Sequence, residues 1–196
     1  MGLFDWFKPK LVIADAASLA SFLETRTAFL VQKTTWEYAR ARAATNYEKL
    51  FKEEEFITAV NLSCWSNYPH CLTHEAQMVE GVLRPLAGAD RQALLDGIIQ
   101  VARDVVGRQR PDDVDAAAFF AEPMALMETR LRLAGLAAVQ KVNEIPDTHY
   151  QEFFDRLPMH EEVRKNDFVV IRNTLRATLV NHHDVFVRDA KLDELT

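Results

Sequence analysis

The densest set of side chains able to do chemistry is the run His70-Cys71-Leu72-Thr73-His74-Glu75. Imidazole, thiolate and carboxylate are the usual zinc ligands, and on a helix His70 and His74 would lie one turn apart on one face. The metalloprotease pattern places glutamate directly after its first histidine, and Cys71 stands there instead. Pro69 favours a bend at this point, where surface histidines are common. We therefore expect no metal, with His70, Cys71 and His74 as the residues that would hold one. A second set is His182, His183 and Asp184. His182 falls on the apolar stripe of a helical pattern, which fits a core histidine with a hydrogen-bond partner. As an acid–base pair, His182 and Asp184 are two residues apart and diverge on a helix.

A third set is a line of charge. Arg26, Lys33 and Arg40 are spaced by seven, with Glu37 in the same sector. They lie among the pairs Phe22-Leu23, Phe29-Leu30, Ala43-Ala44 and Leu50-Phe51, which also recur every seven residues. This spacing predicts one helix over 19–51 with the charges near mid-stripe. Buried charge must be neutralised, so Glu37 is expected to be at least half buried and paired with Lys33 or Arg40. The alternative is a groove that takes an anion or an acidic partner helix.

Common enzymatic signatures are missing. There is no Gly-x-Ser-x-Gly, no Gly-x-Gly-x-x-Gly and no Walker pattern, and the 6 glycines are mostly single. No glutamate is followed three residues later by histidine, which excludes the di-iron arrangement of helical bundles. No cofactor is expected. The formal net charge of −6, with no Lys/Arg-rich run, argues against a nucleic-acid partner. Cys64 and Cys71 are too few for a disulfide framework.

The elements that must position these groups read as helices throughout. A chain of 196 residues that is 48% hydrophobic supports one domain with a sizeable core. Asp15 or Ser18 would cap the first helix. A second runs to Tyr68, stops at Pro69 and restarts near Thr73. Asp90 opens a helix with Leu94, Ile98, Val101 and Val105 inside. A short helix through Phe119 and Phe120 follows, and Pro123 begins another that carries Met127, Leu131, Ala134, Ala138 and Val142. The small residues Ala134, Gly135, Ala137 and Ala138 predict close approach of a neighbour. Asp147 opens a short helix through Phe153 and Phe154. The last runs from about Glu161 to Arg188, with Phe168, Ile171, Leu175, Leu179, His182 and Phe186 on one face. The expected architecture is an all-α, single-domain bundle of six to eight helices over residues 15–196, the first and last helices longest.

Residues 1–14 form a separate N-terminal segment and linker. Leu3, Phe4, Trp6 and Phe7 precede Lys8 and Lys10, an aromatic-basic composition suited to a membrane interface or to a protein surface. No secretory signal and no membrane-length apolar run is apparent, so the expected location is cytoplasmic, with peripheral attachment to an inner membrane.

The stretch 22–51, with AFLVQKTTWEYARARAATNYEKLF at its centre, resembles small all-helical alphaproteobacterial proteins that often carry the label esterase. The resemblance covers about a fifth of the chain, contains no catalytic motif and transfers no functional residue. The resemblance implies a bacterial protein, and the sequence implies a helical interaction or adaptor protein that binds another protein, with its oligomeric state left open. The alternative is a small hydrolase with an interhelical pocket of His, Arg and carboxylate.

Overall fold

The computed structural model describes residues 12–111 and 114–196. Among them the chain is all helical, with eight α-helical segments: α1 (Ala16–Ala43), α2 (Tyr47–Leu50), α3 (Glu54–Leu83), α4 (Arg91–Gly107), α5 (Ala116–Leu136), α6 (Asp147–Asp155), α7 (Glu161–Arg164) and α8 (Phe168–Asp189). Asp15 opens α1 with a capping box: its carboxylate accepts from the Ser18 amide while Ser18 satisfies the Asp15 amide. Ile13, in the expected linker, is fully buried. It pairs with the end of α8, accepting from Lys191 N–H and donating to Asp189 O, so the two ends of the described chain are tied together.

The centre of the bundle is α3, which packs against α1, α4, α5, α6 and α8. Every residue of 67–76 is buried, as expected of a helix covered on all sides. Pro69 does not end it. Loss of one backbone donor and the ring clash cost about 3 kcal/mol in a helix interior. Burial of Tyr68, Pro69, Cys71, Leu72 and Ala76 on both sides of the break outweighs that locally, and Thr73 Oγ1 donates to the Pro69 carbonyl. Two expected helices are therefore one. α3 is the longest at 30 residues and α1 follows at 28, so the expectation for the first and last helices fails for the last. Pro123 likewise lies inside α5.

The first helix is shorter than its heptads imply. It ends at Ala43, and Ala44 takes φ 46° before a 3-10 turn and α2 fold the chain back. A positive φ is unfavourable for alanine, and aromatic packing holds it: Phe51 lies 5.5 Å from Trp36, 4.5 Å from Tyr47 and 5.1 Å from Phe56. The expected final helix is two segments, broken before Phe168. Asp167 there accepts from Tyr38 O–H at 2.7 Å and from Arg42 Nε at 2.6 Å, which binds α1 to the start of α8. Close approach at Gly135 is real: a β-carbon there would come within 2.7 Å of Leu95 Cδ2 on α4. Ala137 and Ala138 lie beyond the helix. Arg84 donates to the carbonyls of Ala134 and Ala137 and so caps α5 while pairing with Glu80.

Candidate functional site

Burial of residues 67–76 puts the chemistry-bearing run inside the bundle, and α3 divides it between two neighbours. Residues Cys71 and Glu75 share one side, and His70 and His74 share another about 100° round. On the first side Glu75 meets His182 of α8. Glu75 is 0% exposed and His182 1%, and His182 Nδ1 lies 2.6 Å from Glu75 Oε1. His182 donates there when Nδ1 carries the proton. Burial pushes the Glu75 carboxyl up, while the His182 hydrogen bond and the charges of His182 and Arg26 pull it back. Glu75 Oε2 and His182 Nε2 have no hydrogen-bond partner among the described residues. The Phe29 ring covers His182 at 5.7 Å, with Lys33 Nζ 5.4 Å beyond it.

On the second side α6 supplies the neighbours. The ring of His74 stacks on Tyr150 at 5.6 Å with 7° between planes, and His149 lies 5.5 Å away. His70 Nδ1 is 3.3 Å from Glu152 Oε2, and Glu152 also accepts from Arg130. Burial, then Arg156, lowers His70 to about 4; burial, then His149, lowers His74 to about 3. Both imidazoles are neutral at pH 7.

These environments decide what the clusters can do. Among the described residues no group of three or more His, Cys, Asp or Glu side chains converges as a metal would need. Cys71 points away from His70 and His74, and burial together with Glu75 holds it as a thiol. Arg130 already neutralises Glu152. The second expected set also comes apart: His182 is internal, whereas His183 and Asp184 are at the surface, 3.1 Å from each other.

The charged line is not where the heptads put it. Glu37 and Arg40 are exposed, Arg26 and Lys33 only half-buried, and Glu37 makes no ion pair among the described residues. The buried face of α1 is instead Phe22, Leu23, Thr27, Leu30, Val31, Thr34, Thr35, Tyr38 and Ala39, and Phe29 is 47% exposed. Threonines take mid-face positions that a hydrophobic count assigns to solvent, so the real stripe is rotated away from the charges. The cations cover aromatic rings, Arg26 over Phe22 and Arg40 over Tyr47, and so are stabilised without burial. The fourth expected set, Leu3, Phe4, Trp6, Phe7, Lys8 and Lys10, lies outside the described residues.

Open surface is found elsewhere. A groove of about 500 Å³ runs between α3, α8 and the 139–143 segment, lined by Met78, Val82, Val139, Val142, Val180 and Val187, with Lys141, His183 and Asp184 at its rim. Val139 is 46% exposed and Val187 45%. Another groove of about 550 Å³ lies where α3, α4 and α5 meet, near Arg84, Arg91 and Arg132. Neither reaches Glu75 or His182. The pairing of Glu75 with His182 was invisible in the sequence, since the residues are 107 apart; the apolar register of His182 was the one usable signal. No helix among the described residues is long and apolar enough to cross a membrane. The chain matches no family model, no curated protein and no solved structure.

Proposed function

We propose that this protein is a helical interaction module whose protein partner seats in the apolar groove between α3, α8 and the 139–143 segment. One observation carries the reading. The acid–base groups with the most altered surroundings are closed inside the bundle, while a groove open to solvent is lined by valines. A catalytic group must touch its substrate, and an exposed apolar groove with a polar rim is what a binding surface requires. Weighing against the hydrolase alternative, His182 is covered by Phe29 and its carboxylate partner is inaccessible. Peripheral attachment of the module to a membrane through residues 1–10 belongs to the same proposal, supported by Leu3, Phe4, Trp6 and Phe7 beside Lys8 and Lys10.

The test is a photo-crosslinking side chain placed at Val139, at Val187 and, as a control, at exposed Gln100 of α4 in the full chain. Positions 139 and 187 should capture the same protein from a native extract, competed by unlabelled chain, and position 100 should not. The same products at all three positions overturn the proposal. So does ester hydrolysis by the intact chain that His182→Asn abolishes.

A further inference from the structure

A third groove, of about 430 Å³, opens where the described chain begins, between the start of α1, α4 and the 194–196 segment. Leu19, Leu94, Ile98, Val101 and Leu195 make its apolar floor, and Asp15, Asp90 and Glu194 stand around it. No Lys, Arg or His among the described residues lines it. Glu194 is offset by Lys191 at 2.8 Å. Asp15 bonds only to Ser18, and the Asp90 carboxylate makes no capping bond to α4, so two negative charges are left over. The shape of the floor is unusual for a helix. Glycine is unfavourable in a helix interior, yet Gly97 lies mid-way along α4, and an added β-carbon there would meet no atom within 4 Å. With Ala93 one turn earlier on the same face, Gly97 leaves the α4 backbone open to an incoming ring.

We infer that the occupant of this groove is the chain's own residues 3–10, with the aromatic side chains on its floor and Lys8 and Lys10 at its acidic rim. Composition, charge and reach name that occupant. Leu3, Phe4, Trp6 and Phe7 are large and apolar, and Lys8 and Lys10 outnumber Asp5, which complements an apolar floor ringed by carboxylates. The segment also starts at the groove. Val12 precedes the lining residue Asp15 by three positions, and Ile13 is bonded to Asp189 and Lys191, next to the 194–196 segment. At no more than about 3.6 Å per residue, Phe7 can lie up to about 18 Å from Val12 and Leu3 up to about 32 Å. The face of α4 from Ala93 to Val101 covers only about 12 Å at about 1.5 Å per residue, so the segment spans it. A free peptide of the same composition would have to displace a tethered one, whose effective concentration over a short linker is on the order of millimolar. The consequence for attachment rests on the membrane reading proposed above. A docked segment is withheld from lipid, so attachment draws on the undocked fraction alone and is weakened by that fraction.

An aromatic photo-crosslinking side chain in place of Trp6, in the full chain at low concentration, tests the docking. The expected product is an internal link, in a band of single-chain mass, to residues 93–101 or 194–196. Gly97→Gln fills the open place on α4 with a better helix former, so the link yield should fall by about fivefold or more while the urea midpoint is no lower than wild type. Asp90→Lys should lower the yield by about twofold or more. Links that fall outside the groove, or that join two chains only, overturn the inference, as does a yield that Gly97→Gln leaves unchanged. Flotation with anionic vesicles separates the inference from the attachment reading. Where the wild type floats, Gly97→Gln should float about threefold more, because its segment is no longer withheld; equal flotation overturns the inference. If neither floats while the internal links persist, the attachment reading fails and the docked segment stands.

Discussion

Acidification should unfold this protein through two histidines. His70 is held at about 4 and His74 at about 3, against 6.5 in an exposed imidazole. Both are lowered in the folded state, so below pH 6.5 the unfolded chain binds protons that the folded chain refuses. Stability is therefore complete above pH 6.5 and falls as the pH drops toward 4. At about pH 5, 1.5 units below the unfolded value, each group costs roughly 2 kcal/mol at about 1.4 kcal/mol per unit. The two together cost about 4 kcal/mol, a large share of a typical domain stability of about 5–15 kcal/mol. His149, lowered mainly by burial, acts in the same direction. Glu75 acts oppositely: burial raises it, so the folded state takes up that proton first and gains stability as the pH falls through its folded value. The neighbouring charges are Arg130 and Arg156 against Glu152 beside His70, with His149 and Arg130 beside His74. Urea unfolding followed by circular dichroism at several pH values between 7.5 and 5 measures the slope. His74→Phe keeps a ring against Tyr150 but removes one titration, so its slope should fall by about 1.4 kcal/mol per pH unit. A midpoint that is flat from pH 7 to 5, or a His74→Phe slope equal to wild type, would refute the reasoning.

Glu75→Ala should destabilise the fold by about 3–5 kcal/mol, because it strands His182 in the core, whereas exposed Glu37→Ala should change stability by no more than about 0.5 kcal/mol. Urea midpoints in one buffer check both, and equal effects would mean that Glu75 reaches water. In liposome flotation with anionic lipid, the intact chain should rise and a chain without residues 1–10 should stay below, through weak reversible binding worth about 25 cal/mol per Å² of apolar area. Retention of both forms in the soluble fraction rejects membrane attachment.

How much of this was legible differs from element to element, for reasons found in particular residues. Local patterning was enough for the all-α class and the single core, since steps of three and four recur from Leu94 to Val105 and from Ile171 to Phe186. The start of α1 was equally local: Asp15 and Ser18 reach each other within one turn. Local patterning also marked His182 as a core residue needing a partner. Tertiary structure decided the rest. Pro69 breaks an isolated helix, and only packing on all sides carries α3 through it. The heptads of residues 19–51 fit one straight helix, but the turn at Ala44 is held by Phe51, Trp36, Tyr47 and Phe56 closing on one another. The face of α1 depends on threonines, whose hydropathy is near neutral and whose burial is set by what lies opposite. The acid–base partners of α3 come from α6 and α8, more than 70 residues along the chain, and no local preference encodes a contact made at that separation.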